Sequence, residues 1–594
     1  MIRRPPRRGL ADAARRILGH PREAGAILWA RLTGKRLRAR QRLAALVGID
    51  HRLALPRRIL DRFPPAPEAP GDDIRLIGNG TLVAGAPARI AAAFAADPSL
   101  QALYGDALVQ ARPGGPVLPL LLPVFDADRL AAFDDLGPVL AYRQTALDPD
   151  FRPLTPADAA FRIAERHGPR AIGHLPEILS IRREDGDPLA PRAGRGPRLP
   201  LVGERGEAAA EGEGARTDEP LPEPPPHGRF AARTDDGVRA GLSPQAGRGG
   251  PALQPERGEH HRAGEGGQIH HRVVEAHLYR TGRAGARIIV APDGLLRVDH
   301  PLPDPPPLAS LIVPTRDRLD LLRPCLDSLR ACTDWPSIEI LVCDNDSREP
   351  ETLAYLIALE REGRGHVVPC PGPFNFAAMN NAAAARARGR LLVFVNNDVE
   401  AFRPDWLTLM ACEALRPEVG AVGAKLLDGE GRIQHGGIVL GTGGLVTHGH
   451  RHFPGDAPGY RGALRATHAV SAVTAACLVV EADKFRAVGG FDDAAFAVDF
   501  NDVDLCLRLN AAGYRTLLVP EAVLHHREAA SRRWTPEARA RHAREIAALK
   551  TRWGPLLAQD PHYHPGFDPD LSTHARLRRD FPAAGPASVR RPPA

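Results

Sequence analysis

Four acid-bearing motifs fall in order between residues 310 and 526: VPTRD (313–317), VCDNDS (342–347), VNND (395–398) and FNDVDLCLR (500–508), with LHH (524–526) after them. Each acidic cluster follows an apolar run or opens a helical pattern. In an open α/β sheet a ligand sits there, in the crevice beyond the carboxyl ends of the strands. Carboxylates gathered on one sheet edge repel one another unless a cation lies among them. A divalent ion bridging a diphosphate relieves that repulsion, so the set describes a sugar-nucleotide site. Pro314, Thr315 and Asp317 of the first motif and Asn397 of the third are candidates to line the nucleotide.

Asp344 ends the apolar run IEILVCD, where a carboxylate can accept from the N–H edge of a pyrimidine base. Asp346 or Ser347 can cap the helix expected to start near Glu349. Asn396, Asn397 and Asp398 follow RLLVFV. Mg²⁺ or Mn²⁺ on a diphosphate takes hard oxygen ligands, and Asp398 is placed to supply one, although NND alone also suits a plain turn. Asn501, Asp502 and Asp504 open a helix, whose dipole keeps a carboxylate ionised. One of the two Asp residues can act as a general base while the other caps the helix. His525 and His526 close the run TLLVPEAVL. A neutral imidazole there can complete a metal shell, though a lone His pair is also a common surface feature. The HGHRH run at 448–452 reads as a mobile loop.

Alternating elements must position these groups. LASLIVPT, IEILVCDN, HVVPC and RLLVFVNND read as strands. LDLLRPCLDSLRACT, ETLAYLIALERE and FAAMNNAAAARARG read as helices, the last ended by Gly389. Strand and helix at βα spacing predict a mostly parallel sheet.

The 594 residues are enough for two or three domains, and 43% hydrophobic residues ensure folded cores. The 58 glycines and 59 prolines imply long irregular stretches as well. Residues 1–60 read as a basic helical arm, suited either to an anionic membrane surface or to docking on its own protein. Residues 70–185 look folded. Residues 186–272 are Gly-, Pro-, Arg- and Glu-rich and read as a disordered linker. A catalytic domain spans 300–530, and 531–594 reads as an extension, partly helical, then disordered. The seven scattered cysteines contain no CxxC pair and read as reduced core residues. With no apolar run long enough to span a bilayer, the expected location is cytoplasmic, with a peripheral contact on the inner face of the membrane as a further reading. No nucleic-acid motif accompanies the basic charge.

Taken together, SLIVPTRDRLDLL, ILVCDNDS, GPFNFAAMNNAA, LLVFVNNDVE, IQHGGIVLG, VGGFD, FNDVDLCLRL and LHHREAASR resemble the family 2 glycosyltransferases, over roughly residues 308–565. They look like the rhamnosyltransferase-like branch, which builds bacterial surface polysaccharide. The resemblance implies a GT-A fold, Rossmann-like with a mostly parallel sheet, and inverting chemistry. It implies that Asp344 contacts the base, Asp398 is the metal-binding member of a DxD-type motif, and Asp502 is the catalytic base. Asn396 stands at the first position of that motif, which removes one possible ligand. His525 would lie near the metal, with His526 an equal candidate by register. Ser531 and Arg532 look like a loop that closes on the diphosphate.

The expected activity is metal-dependent transfer of a sugar from a UDP- or dTDP-linked donor to a growing glycan, free or lipid-linked, with Mn²⁺ or Mg²⁺ as cofactor. A nucleotidyltransferase on a similar fold would carry a Gly-rich loop after the first strand, which VPTRDRLD lacks. An inactive glycan-binding or scaffold protein is the other alternative. Upstream, residues 157–179 can be laid on 501–524 around a shared Pro-Glu, which puts Asp158 on Asp502, Ala160 on Asp504 and Ile181 on His525. LYGDAL (103–108) looks like a relic of the metal strand, with Asp106 in the Asp398 place. Residues 70–185 thus read as a degenerate partial GT-A-like domain, without catalysis of its own.

Overall fold

The computed structural model describes residues 21–32, isolated positions from 39 to 46, 53–183 apart from 68 and 111–114, 263–527, and 534–593 with short gaps. The first element among the described residues is helix α1 (Pro21–Leu32). Glu23 in its first turn pairs with Arg42 (3.3 Å) and with Arg432 of the catalytic half (2.8 Å).

An upstream sheet follows, built from β1 (Ile74–Gly78), β2 (Thr81–Leu82), β3 (Ala102–Gln110), β4 (Leu118–Leu120), β5 (Val139–Arg143) and β6 (Ile172–Arg183). Its order is β1-β5-β3-β6-β2, with β4 on β3. Helix α2 (Ala86–Ala96) precedes β3, α3 (Ala127–Ala132) follows β4, and α4 (Pro156–His167) precedes β6. Helix α5 (Ala263–Arg280) and the hairpin β7 (Arg287–Val290) and β8 (Leu296–Asp299) pack on this half through Val273, Val274, Leu278 and Leu296. Helix α5 begins inside the span read as linker (186–272), because Val273, Val274 and Leu278 give its last turns an apolar face to bury. Positions 184–262 lie outside the described residues.

The second sheet carries the four motifs. β9 (Ala309–Thr315) is buried throughout, as a central parallel strand should be. After it come α6 (Leu319–Ala331), β10 (Ile338–Asp344), α7 (Pro350–Arg361), β11 (His366–Pro369), α8 (Phe376–Ala384), β12 (Leu391–Val395) and β13 (Val399–Ala401). Then follow α9 (Trp406–Ala414), β14 (Val419–Leu427), β15 (Ile433–His435), β16 (Ile438–Leu440), β17 (Val446–His448), β18 (His468–Ala469) and β19 (Cys477–Glu481). Last are α10 (Ala482–Ala487), α11 (Asn501–Ala511), β20 (Arg515–His526) and α12 (Pro536–Ala558). The order is β11-β10-β9-β12-β19-β14-β20-β13, with β15 on β14 and β18 on β20. β11, β10, β9 and β12 run parallel, whereas β19 is antiparallel to both its neighbours. Helix α8 stops at Ala384, short of Gly389. Gly389 instead donates to Ser310 Oγ (2.9 Å), at an approach so close that a Cβ would stand 2.6 Å from that oxygen.

Three further expectations are corrected here. The HGHRH run is packed: His448 ends β17, and His450 and His452 are buried. Tyr460 donates its backbone N–H to His450 Nε2 (3.1 Å), and the His450 ring stacks on His574 (4.9 Å). The end of the chain is likewise held, since Arg590 and His174 exchange two backbone hydrogen bonds of 2.8 Å. Glycine- and proline-rich text hides such aromatic stacking and single-bridge pairing. Finally, the strand of Asp106 is β3, which lies parallel to β6 and antiparallel to β5, as β14 lies to β20 and β19. Asp106 is therefore not in the Asp398 place. That place follows β1, where Asn79 donates to Pro138 O as Asn396 donates to Ala476 O, and no acid stands there.

The two sheets meet through buried charge. Arg515 pairs with Asp126 and Asp128 (both 2.6 Å), Arg416 pairs with Asp128 (2.9 Å), and Asp135 holds Arg129 and Arg461. Burial would raise the Asp128 carboxyl, but Arg416 and Arg515 hold it well below the usual carboxylate range.

Candidate active site

Three strand ends converge on the expected crevice. Thr315 and Asp344 are register partners at the carboxyl ends of β9 and β10. Asn397, just past β12, donates its side-chain amide to Thr315 Oγ1 (3.0 Å). Pro314 lies one residue back along β9, opposite Cys343. Asp344 Oδ1 accepts from the Ser347 N–H (3.2 Å), so one carboxylate oxygen already braces its own loop. Asp317 does more bracing: its Oδ1 accepts from the backbone N–H groups of Arg348 (2.6 Å) and Glu349 (2.9 Å). That is an N-terminal cap on α7 supplied from the neighbouring loop. Non-glycine residues with left-handed backbone cluster at these turns, with Asp317 at φ 54°, Arg318 at 60°, Asp346 at 55° and Phe500 at 63°. Such conformations cost energy and persist where the surroundings enforce them.

Asp398 is buried, and its carboxylate meets His526 Nε2 at 3.2 Å. It is His526, not His525, that stands beside Asp398. Strand alternation is the reason. In the β13–β20 pairing Val399 opposes His526 and Glu400 opposes His525. The His525 ring lies against Phe402 instead, with centroids 4.5 Å apart. His526 Nδ1 faces Gln434 Oε1 at 3.2 Å. Gln434 accepts there, so a neutral His526 carries its proton on Nδ1 and turns the Nε2 lone pair toward Asp398. A lone pair and a carboxylate 3.2 Å apart need a proton or a cation between them. An imidazole nitrogen and a carboxylate oxygen are a donor set that suits Mn²⁺ and tolerates Mg²⁺, so the residues present fit a divalent ion.

The two acids at the start of α11 have different surroundings. Asp504 is fully buried and saturated, with Oδ2 accepting from Arg508 (2.7 Å) and Oδ1 from Arg552 (2.8 Å) and Trp553 (2.9 Å). It ties α11 to α12 and has no oxygen left for a substrate. Asp502 is partly exposed and has no cationic partner among its hydrogen bonds. Its oxygens accept the N–H groups of Ala475 (3.1 Å) and Val503 (2.8 Å), and burial pushes its carboxyl above the ordinary range. Asn501 is buried and donates to Val498 O (3.0 Å). The Ala475–Ala476 segment links the two centres: Ala475 N–H holds Asp502, and Ala476 O holds the Asn396 N–H (3.1 Å). Ser531 and Arg532 lie outside the described residues.

Sequence reasoning assigned no role to Gln434 or His435. Their signal was available, a Gln-His pair ending a short strand and followed by two glycines. His435 Nδ1 meets His448 Nδ1 at 2.7 Å, and burial pushes the His435 imidazole well below its usual range.

Residues 310–436 match the family model Glycosyl transferase family 2. The chain is 33% identical over 503 residues to the O-antigen biosynthesis protein RfbC of Myxococcus xanthus, covering 83% of this chain and 34% of that one. It is 42% identical over 319 residues to the uncharacterised protein y4gI of Sinorhizobium fredii, covering 53% and 34%. The chain thus spans about a third of the length of these curated relatives. Among solved structures, a mannosyltransferase of Pyrobaculum calidifontis in complex with GDP-Man and Mn²⁺ aligns at 19% identity and TM-score 0.31, covering 45% of this chain and 69% of that one. The strands at the centre of the second sheet thus match a glycosyl transferase family 2 domain, set in a sheet of mixed α/β architecture.

Proposed function

We propose that this chain is a glycosyltransferase that uses a divalent cation and moves a sugar, with inversion, from a UDP- or dTDP-linked donor to a growing surface glycan. The observation that carries the reading is the Asp398–His526 pair, held by Gln434, with the Ala475–Ala476 segment tying its loop to a partly buried Asp502 that has no cationic partner among its hydrogen bonds. Thr315, Asp344 and Asn397 orient the nucleotide at the strand ends. Asp398 and His526 would hold the ion, which would neutralise the diphosphate. Asp502 takes the proton of an acceptor hydroxyl as its oxygen bonds to the anomeric carbon. The bond from that carbon to the diphosphate breaks on the opposite face, and the diphosphate leaves with the electron pair. The raised Asp502 carboxyl suits this role, since a stronger base than an ordinary carboxylate accepts the proton more readily.

The relative named for O-antigen biosynthesis supports a surface polysaccharide as the acceptor class. The upstream half has no acid in the Asp398 place, and we read it as non-catalytic. Helix α1 exposes Leu28, Trp29 and Leu32, a surface suited to peripheral contact with an anionic membrane. No helix among the described residues is long and apolar enough to cross one. A screen of nucleotide sugars for Mn²⁺-dependent hydrolysis by the full chain tests the reading. No turnover of any UDP- or dTDP-sugar would favour a glycan-binding scaffold instead.

A further inference from the structure

Outside the active site one cluster stands apart. Asp106 on β3 and His174 on β6 are completely buried, and His564, beyond α12, is 4% exposed. Each offers a ligand atom, and these atoms lie within 4.8 Å of one another. The register of β3 against β6 slips on both sides of Asp106, and this bulge sets its carboxylate apart from the ladder. His174 Nε2 stands 3.0 Å from Asp106 Oδ1, and His564 Nε2 stands 2.9 Å from Asp106 Oδ2. Leu122 N–H also reaches Oδ1 (3.0 Å).

The second of those contacts is not a hydrogen bond. Asp106 Oδ2 and His564 Nε2 are both buried and both lack a hydrogen-bond partner, although they are 2.9 Å apart. Two atoms that each bind one tetrahedral ion at about 2.1 Å are about 3.4 Å apart, so a small outward shift of these ligands would admit one. A buried carboxylate with two imidazoles is a donor set for the Zn²⁺ class of ions rather than for Mg²⁺. His564, though neither Asp106 nor His174, also lines a cavity of about 70 Å³, with Tyr460, His450 and Phe567.

We propose that Asp106, His174 and His564 form a second metal site, structural rather than catalytic, which binds a Zn²⁺-class ion and fastens the tail of the chain to the upstream sheet. The tail needs such a fastening, because its cluster around Tyr563 and Phe567 contains few buried apolar residues. A metal bond supplies folding energy where a core is thin. The competing arrangement holds only protons. In it His564 Nδ1 keeps the Gly566 N–H (2.9 Å), the ring proton lies on Nε2, and Arg590 beside Asp106 balances the charge. A cation on Nε2 moves the ring proton to Nδ1 and turns the Gly566 N–H away.

The test uses the tag-free full chain carrying Asp398→Ala, so that the active site does not report. The protein is incubated with Zn²⁺ alone, dialysed against EDTA and analysed for bound metal. About one equivalent of Zn²⁺ is expected to remain, with a rise in Tm of several degrees. His564→Gln should lose both the metal and the rise. Should His564→Gln fail to fold, Co²⁺ loading of the parent decides, since imidazole–carboxylate ligation gives a visible d–d spectrum. Less than a tenth of an equivalent of Zn²⁺ with no cobalt spectrum, or full retention in His564→Gln, overturns the proposal.

Discussion

The upstream sheet and the acceptor side of the catalytic sheet share one plan. The order β1-β5-β3-β6-β2 with β4 on β3 matches β12-β19-β14-β20-β13 with β15 on β14. Every pairing has the same sense, parallel for β3–β6 and β14–β20 and antiparallel elsewhere. Both parallel pairs even slip register at a Pro-Glu, Pro176-Glu177 in one and Pro520-Glu521 in the other. The chemistry differs at each functional position. Between β12 and β13 three residues carry Asp398, whereas between β1 and β2 stand only Asn79 and Gly80. Asp502 is a partly buried carboxylate without a cation. Asp158, its counterpart, belongs to a helix cap in which Asp158 N–H donates to Thr155 Oγ1 (3.1 Å) and Asp158 Oδ2 accepts from Leu154 N–H (2.9 Å). On the proposed reading the same framework serves catalysis in one copy and local stability in the other, and the deciding residues are few.

The largest separation expected between the halves is at these two acids. Asp502→Asn should lower turnover by about 10²–10⁴-fold, the usual weight of a general base. Its stability should hold or rise, because a carboxyl raised by burial destabilises the fold once it ionises. Asp158→Asn should leave turnover alone and cost about 0.5–2 kcal/mol of stability, as caps do. Steady-state rates beside thermal denaturation of both variants check this pair. Equal losses of turnover would break the comparison.

Asp504→Asn should look different again. It strips a buried acid from Arg508, Arg552 and Trp553, so the loss falls on folding, at about 3–5 kcal/mol. Urea denaturation measures it, and rate per folded molecule should stay within about tenfold of wild type. Asp128→Asn, at the seam between the halves, should cost about 2–4 kcal/mol by leaving Arg416 and Arg515 short of charge. Readout is again by denaturation, and a neutral result would mean that the halves are held by other contacts.

Acid should loosen the molecule gradually. Burial lowers His300 to about 4, His450 to about 3 and His468 to about 4. These imidazoles stay neutral in the fold and take up protons when unfolded. Their stability is therefore complete above the unfolded value of about 6.5 and falls as pH drops toward 4. A Tm series from pH 8 to pH 4.5 should be flat at first and then decline below about 6.5.

Much of the catalytic half was legible because β9, β10 and β12 are continuous apolar runs with their acids at the carboxyl ends. The choice between Asp502 and Asp504 was not. Both open the same helix, and only the arrival of Arg552 and Trp553 from α12 separates them. His525 and His526 show a similar limit: alternation says that one faces the site, but the pairing with β13 decides which. Asp106 was placed by the look of its neighbours, LYGDAL, while its true position depends on which strands flank β3. Local patterns mark elements and their ends, whereas partners distant in sequence decide which side chains are free to react.

The central claim is that Asp398 with His526 makes the donor site depend on a divalent ion. Calorimetric titration of the full chain with UDP- and dTDP-sugars, in Mn²⁺ and then in EDTA, tests it most directly. Binding that needs Mn²⁺ in the wild type and disappears in Asp398→Ala is the predicted result. Binding of equal strength in EDTA, or undiminished in Asp398→Ala, would contradict it.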